Sequence, residues 1–315
     1  MIQKIKTEII KAWYKRVDKE KYHIIKQDLQ LAKTKNKLTS QFKNELKKIT
    51  NSIENKQILN FKHSGHMGDI LYAFPIIKEL AKTKKCNLFL NTNKEFDGFS
   101  NKHPSGNIML SERSFSMLKP LIEKQNFINS IDKFSNQNID IDLDLFRELP
   151  TSLHFHTIRW FYHLVGLQPS LNEFYLDVKN HQTITNKIIV VRTFRATNPF
   201  IDYSFLNKYD NLLFLGTRIE YDHFIKDVPN IDFYDVNDFL ELAEIIKSAR
   251  FFVSNQTFAY AIAEGLKIPR LLEANPDFPV IYPTGGLGND FYFQEHFEKY
   301  FEDLYQKTKI NKVSN

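Results

Sequence analysis

Side-chain chemistry in this chain concentrates at two places, Asp69 and the polar run Ser254-Asn255-Gln256-Thr257. Asp69 closes the stretch His63-Ser64-Gly65-His66-Met67-Gly68, in which Gly65 and Gly68 allow a tight turn and a close approach of backbone to a ligand. A helical pattern begins there, so Asp69 falls at the N-cap or in the first turn. The helix dipole and nearby N–H donors favour its charged form. An ionised carboxylate so placed can act as a general base toward a hydroxyl. Capping competes with that role, because Asp is among the best N-caps.

The second place repeats the geometry with other residues. Ser254, Asn255, Gln256 and Thr257 bring four hydrogen-bonding side chains to the start of a helix whose body is Ala259 to Leu266. Together with unsatisfied backbone N–H groups they can hold a diphosphate without a metal. Capping needs only one of the four. Glu264, further along, is placed to reach a ribose or sugar hydroxyl. Arg192 and Arg195 follow the strand-like run Ile188-Val191, at the strand end where α/β proteins bind ligands. Their forked, permanently charged groups suit a phosphate, although Arg beside a loop is also a common surface ion-pair partner. His66 and Gly68 are candidate substrate contacts within the first loop.

Other signals carry less. Asp140, Asp142 and Asp144 alternate along a strand-like run, so they share one face about 7 Å apart, wide for a single cation. His63 with His66, and His154, His156 with His163, lack the companions of a zinc site. No metal or cofactor is expected. Pro283-Thr284-Gly285-Gly286-Leu287-Gly288 lacks the Gly-Lys-Ser/Thr of a phosphate loop and reads as a turn or flap. No Gly-x-Ser-x-Gly elbow is present, and Cys86 sits in an apolar run without a base, so hydrolase chemistry has little support.

The elements that must position these residues follow from periodicity. Residues 1–64 contain neither Gly nor Pro, and apolar residues recur at Ile10, Trp13, Val17 and at Leu38, Phe42, Leu46, Ile49, Ile53. Spacings of three and four predict two or three helices. From Ile58 short apolar runs alternate with amphipathic stretches. Strands are predicted at 58–61, 86–90 and 139–145, with helices at 70–82, 115–124 and 154–167, the last ending near Gly166. In the second half strands are predicted at 188–191, 212–215, 231–234, 251–253 and 270–273, with helices at 218–226, 237–249, 256–266 and 290–305. This rhythm favours parallel sheets. At 315 residues, two domains are the default. The divisions fall at 1–56, a basic helical extension; 57–171, a first α/β domain; and 172–315, a second.

Composition restricts the class. A lone cysteine excludes an internal disulfide, no signal-peptide-like stretch opens the chain, and no run approaches the roughly 20 apolar residues of a membrane span. Cytoplasmic residence is the expectation. Residues 1–56 hold 15 Lys/Arg against 6 Asp/Glu, a local +9 that leaves −3 for the remainder of a chain whose total is +6. Such a segment suits an anionic membrane surface, although a Lys-rich helix is often simply a solvated face. No specific nucleic-acid partner is indicated.

The run Gly68-Asp69-Ile70-Leu71 followed by Pro75 resembles the start of the heptosyltransferase family of lipopolysaccharide core biosynthesis, glycosyltransferases of the GT-B fold. Asp142 to Arg147, Phe214 to Thr217, Asp238 to Ala243 and Phe252 to Asn255 are similar, in the same order, to further elements of that family, over about residues 57–275. The resemblance implies two doubly wound Rossmann-like domains facing a cleft. It implies that Asp69 is the catalytic base and that Asn255 to Thr257 grip the diphosphate of a nucleotide-sugar. Where the family usually has Asp-Thr/Ser-Gly followed by a histidine, this chain has Gln256, Thr257 and Phe258 and no histidine. Gln removes a charge and Phe narrows the approach to the backbone, so the nucleotide and sugar stay open.

The function implied is transfer of a sugar from a nucleotide-diphosphate sugar to a glycan or glycolipid hydroxyl, inverting and metal-independent. Asp69 would take the proton while Arg192, Arg195 and the second helix start would stabilise the leaving diphosphate. Two alternatives stand beside it: a nucleotide-sugar epimerase on the same fold, and a catalytically inactive binding or scaffold protein in which Asp69 only caps its helix.

Overall fold

A computed structural model of the chain describes residues 2–96, 106–148, 156–275 and 281–310. The chain opens with helices α1 (Ile2–Val17) and α2 (Lys19–Lys37), a π-helical turn (Leu38–Phe42) and α3 (Lys43–Asn55). Asp18 separates α1 from α2 and caps the latter through the Lys21 N–H.

Strand β1 (Ile58–His63) leads into α4 (Met67–Tyr72), α5 (Phe74–Leu80) and β2 (Lys85–Leu90). The single helix expected over 70–82 is therefore two short ones. Pro75 lies at the first turn of α5, where its missing N–H costs nothing. Then come α6 (Glu112–Glu123), β3 (Ser130–Lys133) and β4 (Ile141–Asp142). The alternating run 139–145 gives only that two-residue strand. Its remainder curls into a 3-10 turn, Leu143–Glu148, which swings Asp144 and Arg147 away from the sheet line. Helix α7 (Thr157–Val165) ends at Gly166, whose φ of 72° suits glycine as the left-handed cap. His154 lies outside the described residues.

The second half runs β5 (Ile188–Val191), β6 (Leu212–Leu215), α8 (Arg218–Phe224), β7 (Asp232–Tyr234), α9 (Phe239–Lys247), β8 (Phe251–Ser254), α10 (Phe258–Leu266), β9 (Arg270–Glu273), β10 (Gly288–Phe291) and α11 (Gln294–Ile310). Strand β10 was not expected: Gly288-Asn289-Asp290-Phe291 is polar and mostly exposed, because it forms the sheet edge. It delays the last helix to Gln294. Residues 276–280 of the Pro/Gly-rich passage lie outside the described residues.

Both sheets are wholly parallel. The first has the order β3-β2-β1-β4 and the second β10-β9-β8-β5-β6-β7. In each, the chain builds outward from a central strand and then returns to that strand's other side. The reversals, between β1 and β4 and between β5 and β8, open a crevice at the carboxyl ends, where doubly wound sheets bind ligands. The central strands β5, β6 and β8 of the second sheet are buried on both faces and accordingly almost wholly apolar. Ile189, Val191, Leu213 and Leu215 face a core shared with α9, α10 and the first sheet's residues. Ile188, Val190, Leu212 and Phe214 face a second core that includes Phe297, Phe301 and Leu304 of α11. The first core is continuous from Phe42 to Ile281 and joins the two sheets into one packed body.

Candidate functional site

The carboxyl end of β1 delivers His63, Ser64, Gly65 and His66 to the first crevice. Asp69 lies in the first turn of α4 and not at its cap, which is His66. Its Oδ2 accepts from Arg147 Nη2 at 2.6 Å. Arg147 comes from the 3-10 turn after β4 and also donates through Nη1 to Asp144 Oδ1 at 3.2 Å. Asp144 in turn accepts from the Ser64 N–H at 2.9 Å and from Lys94 Nζ at 3.2 Å. Burial pushes the Asp144 carboxyl up, but facing His63, the Ser64 donors and Lys94 together hold it at about 2, so it is ionised. The guanidinium of Arg147 also stacks on Phe146, 4.4 Å from the ring centre. Gly65 makes room for it, since a Cβ there would collide with the Arg147 guanidinium.

Two histidines beneath this network are uncharged. His63 is fully buried, and its Nδ1 accepts from the Gly65 N–H at 2.8 Å, which puts the proton on Nε2. Burial, then Arg147, lower it to about 4. Burial, then Arg147 and Arg195, do the same for His66, also to about 4. His66 is therefore a neutral side chain at pH 7.

The two arginines after β5 differ in kind. Arg192 donates to the buried Glu273 through Nε (3.0 Å) and Nη2 (3.1 Å), and stacks on Tyr203. Tyr203 and the Asn198 N–H bind the same carboxylate. Arg192 thus ties the loop 192–203 to β9, and the phosphate contact expected of it goes instead to Glu273. Arg195 is half-buried and has no hydrogen-bond or ion-pair partner for its guanidinium among the described residues. Burial lowers its pKa, and Glu220 and Asp69 raise it. It is a desolvated cation with no matched anion.

Asn255 explains how Arg195 is held. Fully buried at the end of β8, it accepts from the Thr193 N–H at 3.2 Å and donates to the carbonyls of Thr193 (3.1 Å) and Arg195 (2.6 Å). The next residue, Ala196, has φ of 50°, a strained left-handed conformation that these bonds sustain. Asn255 is accordingly a positioning residue rather than a direct contact. Ser254 is also buried and bonds Thr257, while Thr257 caps α10 through the Tyr260 N–H at 3.0 Å. Of the polar run Gln256 and Thr257 are half-buried, whereas Ser254 and Asn255 are fully buried.

Glu264 is displaced from the sugar-contact role. It is fully buried and accepts from Arg270 Nε at 2.6 Å, from Lys267 and from the Thr284 hydroxyl at 2.8 Å. Every one of these partners is internal, so the carboxylate fastens α10 to β9 and to the loop at Thr284. Asp140 and Asp142 of the alternating run are likewise paired, with Lys56 and Lys62.

The two crevices meet. Helix α4 packs on α10, and a Cβ at Gly68 would lie 3.9 Å from that of Ala261. Gly68 sits at this helix contact, where a Cβ would meet its neighbours at ordinary van der Waals distance. Through this contact Arg195 of the second sheet comes within electrostatic reach of Asp69 and His66 of the first. Arg147, Asp144 and Lys94 were missed as site residues. Arg147 is 78 positions from Asp69, and nothing local in its sequence marks the pair. Its place in the run that resembles the family was the available signal.

No family model matches the chain, and no curated protein matches its sequence. Solved structures do match its fold. A glycosyl transferase family 9 protein from Veillonella parvula aligns over 77% of this chain and 88% of its own length, with 10% identity and a TM-score of 0.52. The E. coli ADP-heptose lps heptosyltransferase II aligns over 81% of this chain and 100% of its own, with 10% identity and a TM-score of 0.53. The chain thus shares the mixed α/β, parallel-sheet fold of these proteins.

Proposed function

We propose that this chain is a GT-B glycosyltransferase that moves a sugar from a nucleoside-diphosphate sugar to a hydroxyl of a glycan or glycolipid, with inversion and without a metal. The observation that carries it is Arg195: a half-buried guanidinium without a matched anion, held by a dedicated amide and facing a carboxylate from the other sheet. Leaving a charge desolvated and unpaired is costly, and a ligand anion repays that cost. A diphosphate would supply that anion. The E. coli relative is named for ADP-heptose, which supports a nucleoside-diphosphate sugar as donor class. Gln256 and Phe258 leave this chain's own sugar and base open.

In this mechanism the first sheet's side (57–171) receives the acceptor and the second (172–315) the donor. The acceptor oxygen attacks the anomeric carbon from the face opposite the diphosphate. The bond to the diphosphate oxygen breaks and its electron pair leaves with the nucleotide, stabilised by Arg195. The acceptor proton passes to Asp69. Arg147 engages only Oδ2 of that carboxylate, so Oδ1 is open to take it. Neutral His66 can line the sugar without adding charge. A cytoplasmic enzyme working on a membrane-bound acceptor accords with the chain, in which no helix among the described residues is long and apolar enough to cross a membrane.

A thermal-shift panel of ADP-, GDP-, UDP- and CMP-sugars tests this. The expected result is a raised Tm with one donor class, followed by release of the free nucleotide when acceptor glycans are added. A panel in which no nucleotide-sugar shifts Tm removes the transferase assignment, and a shift without turnover favours the silent binding protein.

A further inference from the structure

The segment before β1 is the least explained part of the molecule. From Ile2 to Asn55 it is helical almost throughout, about 80 Å of helix at 1.5 Å per residue, with a break at Asp18. The segment is anchored at its far end, by Phe42 of the π-helical turn and by Ile49 and Ser52 of α3, while α2 buries no residue. On α1, Ile9 (62% exposed), Ile10 (47%), Trp13 (58%) and Val17 (58%) project to one side. Lys11 and Lys15 lie on the other. Further on, Ile24 and Leu31 are also exposed, continuing a line of apolar residues at sevens from Ile10 through Val17 to Leu38.

A spacing of seven invites a helical partner, but a coiled coil needs a second apolar track three or four residues on. Three on from Ile10, Val17, Ile24 and Leu31 stand Trp13, Glu20, Gln27 and Thr34; four on stand Tyr14, Lys21, Asp28 and Lys35. Apart from the first pair these tracks are polar, so a second copy finds no seam. The charge points elsewhere. Over residues 1–56 Lys and Arg outnumber Asp and Glu 15 to 6, while the rest of the chain is net negative. A lysine-rich helix with one exposed apolar face and a tryptophan in it matches the chemistry of an anionic lipid surface.

We propose that the α1–α2 arm docks on anionic membrane, with Ile9, Ile10, Trp13 and Val17 entering the boundary between headgroups and acyl chains and the lysines meeting lipid phosphates. The proposal stands independently of the transferase assignment, since vesicle binding needs no turnover.

Full-length protein is mixed with vesicles of neutral phosphatidylcholine alone or with about a third phosphatidylglycerol, at low and high salt, and sedimented. The anionic vesicles are expected to bind at least tenfold more protein, with loss of most binding in high salt. In a Trp160→Phe background, which leaves Trp13 as the only tryptophan, emission should shift to the blue on binding. Trp13→Glu with Val17→Glu should abolish vesicle binding while leaving the Tm and mass of the free protein unchanged. Equal binding to neutral vesicles, no binding to either, or a dimer that the double variant dissociates would each overturn the proposal.

Discussion

The two crevices have the same topology and opposite electrostatics. At the first, every charge is answered within the protein: Asp69 by Arg147, Arg147 by Asp144, Asp144 by Lys94. At the second, Arg192 is answered by Glu273, whereas Arg195 meets no anion at hydrogen-bonding distance among the described residues. The first half is complete as it stands; the second lacks a negative group. In the proposed reading the diphosphate of a nucleotide-sugar supplies that group, with the sugar turned toward Asp69.

Removing the charge at each side should separate the halves. Asp69→Asn keeps the shape but not the base, and turnover should fall about 10²- to 10⁴-fold with donor affinity retained. Unchanged turnover would deny Asp69 its role. Arg195→Ala should cost about 10²- to 10³-fold in kcat, on the scale of one lost anion-stabilising donor, and should weaken nucleotide binding as well. Equal loss from Arg147→Gln in nucleotide affinity would erase the difference between the crevices.

Acid should strike the first crevice before the second. His63 is held at about 4 in the fold against 6.5 in the unfolded chain, mainly by burial. Its native pKa is depressed, so as pH falls from 6.5 toward 4 the unfolded chain takes up a proton that the native state refuses. Stability is then lost across that window, by about 3 kcal/mol from this residue at full effect. A Tm profile should show the fall, and His63→Phe should make it shallower, with the part due to His66 remaining. A profile that is flat in the parent protein would contradict the assignment. Asn255→Leu leaves the Thr193 N–H and two carbonyls without their partner, at about 1–3 kcal/mol for each one that stays buried and unpaired. Urea denaturation reads that cost, and a weakened nucleotide affinity alongside it would mark Asn255 as the support of Arg195.

Much of the fold was legible because strand and helix periods are local. The runs Ile188-Val191 and Phe251-Val253 are apolar enough to announce buried parallel strands. What failed locally was decided at a distance. The alternation at 139–145 looked like a strand, yet its second half turns away so that Arg147 can reach Asp69. The polar edge strand β10 carried no apolar signal at all. At the candidate site, residue type singled out Asp69 and Arg195, but it could not tell Arg195 from Arg192. That distinction depends on Glu273, which lies 81 positions along the chain. Glu264 and Asn255 read as ligand contacts for the same reason: a sequence shows a polar side chain without showing what is packed against it.

The meeting of the two crevices through Arg195 can be read by titration calorimetry of ADP, GDP, UDP and CMP into the parent protein, Arg195→Ala and Arg147→Gln. At least one nucleotide should bind the parent, weaken tenfold or more in Arg195→Ala, and change less than twofold in Arg147→Gln. Binding that is absent from the parent, or equal in the parent and Arg195→Ala, would show that this guanidinium does not wait for a nucleotide diphosphate.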